Sequence, residues 1–392
     1  MWETGIRATL MPPQAAGWTA VSNDPSCQQL LPAPAPNQLT WMGPADAVCD
    51  PPAVNRDGDL AIYSLSGTLD GFNFASGDGA AGQYVATGRL ERLMVAVPRA
   101  HGFATVSHAY SGACDYSRLL DQTGQPGPAT LIDGPYASTI YQVVPNPRGG
   151  FVEERSFEGA SPVAPNYLEL RWVDDDLRPT GEWHTAVTWP MGTQNLWTLV
   201  VDQLGRALVL TLVFPPSLGS TPDPSMWDFS ARWVGLDGPI SDSFPPVVPT
   251  YTDPNGRVYF AGWDTIRPLP DGGFAMYHPP LQGPGVLSHS GWYGYYPSAL
   301  AEVIQPPSWL AMYDGSLQLV AGGAAYAAIQ RDPQTCARTV SLISPSGVTC
   351  QQLAVDGSDL CGTKDMLQND GTLIVLAGCP VRWWPQLARL MQ

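Results

Sequence analysis

At 392 residues, with 44% hydrophobic side chains and 14 Trp, the chain can bury a large core and is not a disordered segment. A net charge of −16 with only 19 basic residues excludes the basic stripe that would neutralise nucleic-acid phosphates or hold an anionic membrane surface. Forty Gly, forty Pro and 14% charged residues also exclude long solvated helices, leaving a turn-rich β protein as the expectation.

The N-terminal "MWETGIRATLMPPQAAGW" has neither the basic start nor the apolar run of a signal peptide, so export would need a segment already removed or another route. No stretch reaches the roughly 18 apolar residues of a membrane span. From Val54 onward the chain repeats one pattern: an apolar segment, a tight Gly turn, then a strand of alternating or continuous apolar residues. The copies lie near 54–64, 97–109, 144–155, 201–212, 267–278, 311–322 and 366–378. Their turn glycines, Gly58, Gly102, Gly150, Gly205, Gly272, Gly315 and Gly371, are 43 to 67 residues apart. That spacing suits a blade of four short strands.

Between these copies lies a second kind of hairpin, as in "YLELRWVDDDLRPTGEWHTAV" (Tyr167 to Val187) and "FSARWVGLDGPISDSF" (Phe229 to Phe244). The expectation is an all-β, seven-bladed β-propeller of four-stranded antiparallel blades, one domain over 1–392. The N-terminal "GIRATLMP" would join the C-terminal blade and close the ring; six or eight blades also fit the irregular spacing. The alternation of "LPDGGF"-type and "R-x-x-x-D-x-x-G"-type turns resembles the Asp-Gly-rich repeat propellers of secreted and surface bacterial proteins. That resemblance implies fold and an extracellular binding role, and no particular activity.

Seven cysteines imply an oxidising compartment, extracellular, cell-surface or periplasmic. Cys361 and Cys379 are symmetric about Asp370, so a hairpin there sets them opposite one another. Cys336 with Cys350 and Cys27 with Cys49 are the further pairs, leaving Cys114 over.

No H-E-x-x-H, C-x-x-C or G-x-S-x-G motif occurs, so the reading leans away from an enzyme. His278 and His289 flank a loop, and Asp174 and Asp175 lie in an acidic run. These are weak metal candidates, with no cofactor required and calcium the cation such carboxylates would suit. The aromatic cluster Trp292, Tyr293, Tyr295 and Tyr296 is the candidate ligand surface, although the same rings would also serve as blade core. The leading function is an extracytoplasmic, non-catalytic binding or scaffold propeller for a glycan, peptide or protein. The alternatives are a hydrolase or lyase with a metal in the channel, or a subunit of an extracellular assembly.

Overall fold

The turns are five-residue loops whose first residue is a hydrogen-bond hub. In Asp202–Arg206, the Gly205 N–H donates to the Asp202 carbonyl (2.9 Å), and the Asp202 N–H donates to the Arg206 carbonyl (2.8 Å). The Asp202 carboxylate then accepts from the Leu204 and Arg206 N–H groups (2.9 and 2.8 Å). Asn55, Asn146, Asp174 and Ser344 play the same part in their own turns. The fourth residue needs a left-handed backbone, φ +76° at Gly205, which explains the recurring glycine. Leu177 occupies that place at φ 61° in the one described turn that lacks a glycine there.

A computed structural model of the chain describes residues 17–32, 37–39, 48–49, 53–55, 57–66, 69–75, 83–86, 91–99, 101–109, 115–120, 127–128, 130–131, 141–157, 165–214, 228–246, 250–252, 258–260, 265–269, 272–278, 291–297, 305–313, 317–320, 323–332, 334–335, 337–355, 364–367, 371–376, 381–384 and 387–390. It is an all-β propeller of antiparallel sheets. The expectation of seven four-stranded blades is corrected. Among the described residues, five sheets are complete meanders of consecutive strands, spanning 48–86, 91–131, 141–189, 194–239 and 318–355. The 265–296 sheet has three strands. The 364–384 sheet has three of its own and borrows a fourth, Asn37–Leu39, which pairs with Val381–Trp384. A Gly turn announces the first hairpin of a sheet, not its completion to four strands, and counting such turns overstated the blades. The 311–322 copy also shifts: Ser308–Met312 is a 3₁₀ turn, the first strand is Gln318–Val320, and a glycine of positive φ, Gly323, precedes the next strand.

The predicted closing strand "GIRATLMP" lies outside the described residues. The residues after it form a clasp. Trp18–Ala20 adds to Thr349–Val355, and Leu30–Pro32 pairs with Ala388–Leu390. Cys350 is the extra residue at a β-bulge, where Leu342 faces Gln351 and Ile343 faces Thr349. Its carbonyl accepts the Val21 N–H (2.9 Å), and its sulfur is bonded to Cys27 (Cα–Cα 5.2 Å). The pairings Cys27–Cys49 and Cys336–Cys350 are therefore corrected to Cys27–Cys350. Cys49 belongs to a strand paired with Ser64 in another sheet, and Cys350 has a single sulfur to share. Cys336, Cys361, Cys379 and Cys114 lie outside the described residues. Trp18, Cys27 and Leu30 are buried with Leu353, Trp384 and Leu387, so the clasp contributes to the core.

Neighbouring sheets are joined by tryptophans. The Trp172 Nε1–H donates to the Gly205 carbonyl (2.8 Å), and across the ring closure the Trp383 Nε1–H donates to the Gly58 carbonyl (2.9 Å). Trp233 has the same Arg-Trp setting, but the Gly272 carbonyl accepts from Arg206 (3.2 Å), whose guanidinium lies over the Trp233 ring. The Trp233 Nε1 is buried without a hydrogen-bond partner among the described residues, while the ring stacks on Phe274 (5.4 Å).

Gly150 combines φ +70° with a Cβ position only 2.0 Å from the Val173 carbonyl oxygen. Gly150→Ala is expected to cost roughly 3 kcal/mol, from the left-handed backbone plus a contact with main chain that cannot yield. A urea midpoint equal to that of the parent protein would contradict this.

Candidate functional site

Polar anomalies concentrate where the 141–189 and 194–239 blades meet. In the strand Phe151–Phe157, successive side chains face opposite neighbours, so "EER" sends its charges both ways. Glu153 and Arg155 face one side. Arg171 donates to Glu153 (2.6 and 2.9 Å), Arg155 donates to Glu169 (2.8 Å), and the Trp183 ring lies against both guanidinium groups (4.0 and 4.4 Å). This ladder is internally satisfied.

Glu154 faces the 194–239 blade and is 0% exposed. Its Oε1 accepts from the Trp197 Nε1–H (2.5 Å), but its Oε2 is buried with no hydrogen-bond partner among the described residues. Burial pushes its carboxyl up to about 7, against the downward pull of the Trp197 bond. Asn195, two residues before Trp197, has a buried amide nitrogen without a partner among the described residues.

At the outer end of the same interface lies a cleft of about 410 Å³, lined by Val187, Thr188, Asp228, Phe229, Ser230, Arg232, Ser243, Phe244 and Pro245. Two irregularities shape it. Ala186 is the extra residue of a bulge, with Leu168 facing Val187 and Glu169 facing Thr185. Its freed carbonyl accepts from Arg232 Nη1 (3.1 Å). On the other wall the chain runs back along the strand Asp228–Gly235, where Ala231 and Phe244 exchange both backbone hydrogen bonds (2.8 and 2.9 Å). The Ser241 carbonyl there accepts from Arg232 Nε (3.1 Å). The guanidinium is thus fixed by two carbonyls from two blades, while its other donors have no partner among the described residues.

The aromatic candidates fall within a sheet. Gly291–Tyr296 is the third strand of its sheet. Tyr296 is 0% exposed and packs with Phe274 and Met276, and Tyr295 packs against the cluster of Leu269 and Tyr326. Alternate positions on this strand meet two different neighbours, which makes Tyr296 core and leaves Tyr295 partly buried. Trp292 and Tyr293 belong to the same strand, Tyr293 as a bulge residue; their side chains lie outside the described residues.

Asp174 is a turn hub, its carboxylate accepting from the Asp176 and Arg178 N–H groups (2.9 and 2.8 Å). Asp175 accepts from the Gly150 N–H (3.1 Å). Among the described residues, no three His, Cys, Asp or Glu side chains are grouped to hold a metal. His278 ends a strand, with its side chain outside the described residues, as is His289. Sequence reasoning passed over Glu154 and Arg232 as sites. The available signals were adjacent charges within a strand and an Arg-Trp pair repeated at Arg171, Arg232 and Arg382.

No protein family profile matches the chain, and no curated protein matches it. Solved structures similar to it include the β-propeller domain of the Trilobed protease from Pyrococcus furiosus, with 10% identity, a TM-score of 0.47, and coverage of 88% of this chain and 92% of that one. An oligogalacturonate lyase from Vibrio parahaemolyticus has 12% identity and a TM-score of 0.42, covering 90% and 97%. TolB from Acinetobacter baumannii has 14% identity and a TM-score of 0.33; 76% of this chain matches 64% of TolB, under two thirds of its length. The propeller assignment stands on the strand pairing within this chain.

Proposed function

We propose that this chain is an extracytoplasmic, non-catalytic binding propeller that holds a glycan or peptide in the rim cleft between the 141–189 and 194–239 blades. The observation that carries the reading is Arg232, anchored by two carbonyls and still offering donors into a 410 Å³ cleft whose lining also holds Asp228, Thr188, Ser243, Val187 and Pro245. Such a mixture orients a polar ligand. Among the described lining residues the ionisable groups are Asp228 and Arg232, which supply neither a pair of carboxylates nor a histidine for acid–base work. The Cys27–Cys350 disulfide supports an oxidising compartment. No described helix is long and apolar enough to cross a membrane.

The enzyme reading has one observation in its favour. A carboxyl near 7 is tuned for proton transfer at neutral pH, and Glu154 has that property. Yet Glu154 is fully buried between blades, where no substrate atom reaches it. The test is a glycan and peptide array probed with the parent protein and with an Asp228→Asn, Arg232→Gln double variant of unchanged melting temperature. Array ligands that weaken at least tenfold in the variant support the reading. Ligands indifferent to the variant, or turnover of an array compound, would overturn it.

A further inference from the structure

We infer that the rim cleft takes the two charged ends of a short extended peptide, its carboxylate on Arg232 and its ammonium on Asp228; this rests on the binding reading above. Asp228, Ser230 and Arg232 are alternate residues of the strand Asp228–Gly235 and share one face. At about 3.3 Å per residue, the Cα atoms of Asp228 and Arg232 are about 13 Å apart. An extended tetrapeptide spans about the same distance.

Arg232 spends two of its five N–H donors on Ser241 and Ala186, which fixes the guanidinium plane. The other three have no partner among the described residues and offer the paired geometry that a carboxylate accepts. Asp228 is exposed at the far end of the cleft, an acceptor placed for an ammonium group. Between them, the Thr188 and Ser243 hydroxyls line the path of the peptide groups, with the Ser230 hydroxyl held by Thr211 (2.6 Å) beneath it and Val187 and Pro245 as apolar neighbours.

Charge decides among ligand classes. A neutral glycan makes no use of opposite charges held apart, and a polyanion meets both Asp228 and a chain of net charge −16. A peptide with both termini free matches both ends.

The experiment is calorimetry with tetraalanine and with its N-acetylated and C-amidated forms. Tetraalanine is expected to bind, and blocking either end is expected to weaken binding at least tenfold. In Asp228→Asn, whose exposed position leaves the fold intact, N-acetylation should cost nothing further while C-amidation still does. Equal affinity for all three peptides would overturn the inference. If tetraalanine fails to bind while an array oligosaccharide slows hydrogen exchange in 184–189 and 228–235, the peptide inference fails and the binding reading stands. If no probe of either class affects those segments, both fail.

Discussion

Glu154→Gln is expected to stabilise the protein above pH 7 by about 3 kcal/mol and to remove a pH dependence between about pH 4.5 and 7. The Glu154 carboxyl moves from an ordinary 4.5 to about 7 because burial between two blades penalises its charge. In the unfolded chain that proton leaves near pH 4.5; in the folded protein it stays until about pH 7. Within this window the unfolded state binds fewer protons, so stability falls as pH rises, by about 1.4 kcal/mol per unit. The contribution is complete below about pH 4.5 and lost once pH has risen through 7. Glutamine imitates the neutral acid and keeps an oxygen for the Trp197 N–H. The measurement is urea unfolding of parent and variant at several pH values, with the difference between the two removing the other carboxylates. Parallel curves at all pH values would show that Glu154 is not buried as described.

Loss of the Cys27–Cys350 bond is the other large effect, a destabilisation of about 4 kcal/mol. The bond joins residues 323 apart in sequence, so its removal frees nearly the whole unfolded chain, for which loop closure predicts several kcal/mol. It also loosens the clasp that keeps Trp18 at 3% and Leu30 at 2% exposed. Cys27→Ser and Cys350→Ser should unfold at the same lowered denaturant midpoint. A midpoint unchanged from the oxidised parent, or peptide mapping that pairs Cys350 with Cys336, would contradict the clasp.

The all-β character was legible because it is local. Alternation in "YLELRWV" and glycines such as Gly205 and Gly272 express strand period and left-handed turn geometry within a dozen residues. That the N-terminal region joins the C-terminal blade was legible, but not which residues do so: Trp18 meets Leu353 and Asn37 meets Trp383 across more than 300 residues, with no local pattern to announce them. The disulfide failed for the same reason: short spacings favoured Cys49 and Cys336, while a bulge at Cys350 turned that residue toward the N-terminal segment. Of the two roles that residue type offered the aromatic cluster, Tyr296 takes the core and Tyr295 is partly buried, because in a propeller both faces of a strand meet neighbours. Arg232 is one of several arginines in third strands, and what distinguishes it is the Ala186 carbonyl freed by a bulge in the adjacent blade.

The central claim, that ligand is held between these two blades, is tested most directly by hydrogen–deuterium exchange with and without an array ligand. The account predicts slowed exchange in both 184–189 and 228–235, one segment from each wall. Protection confined to another part of the ring, such as 291–296, would contradict it.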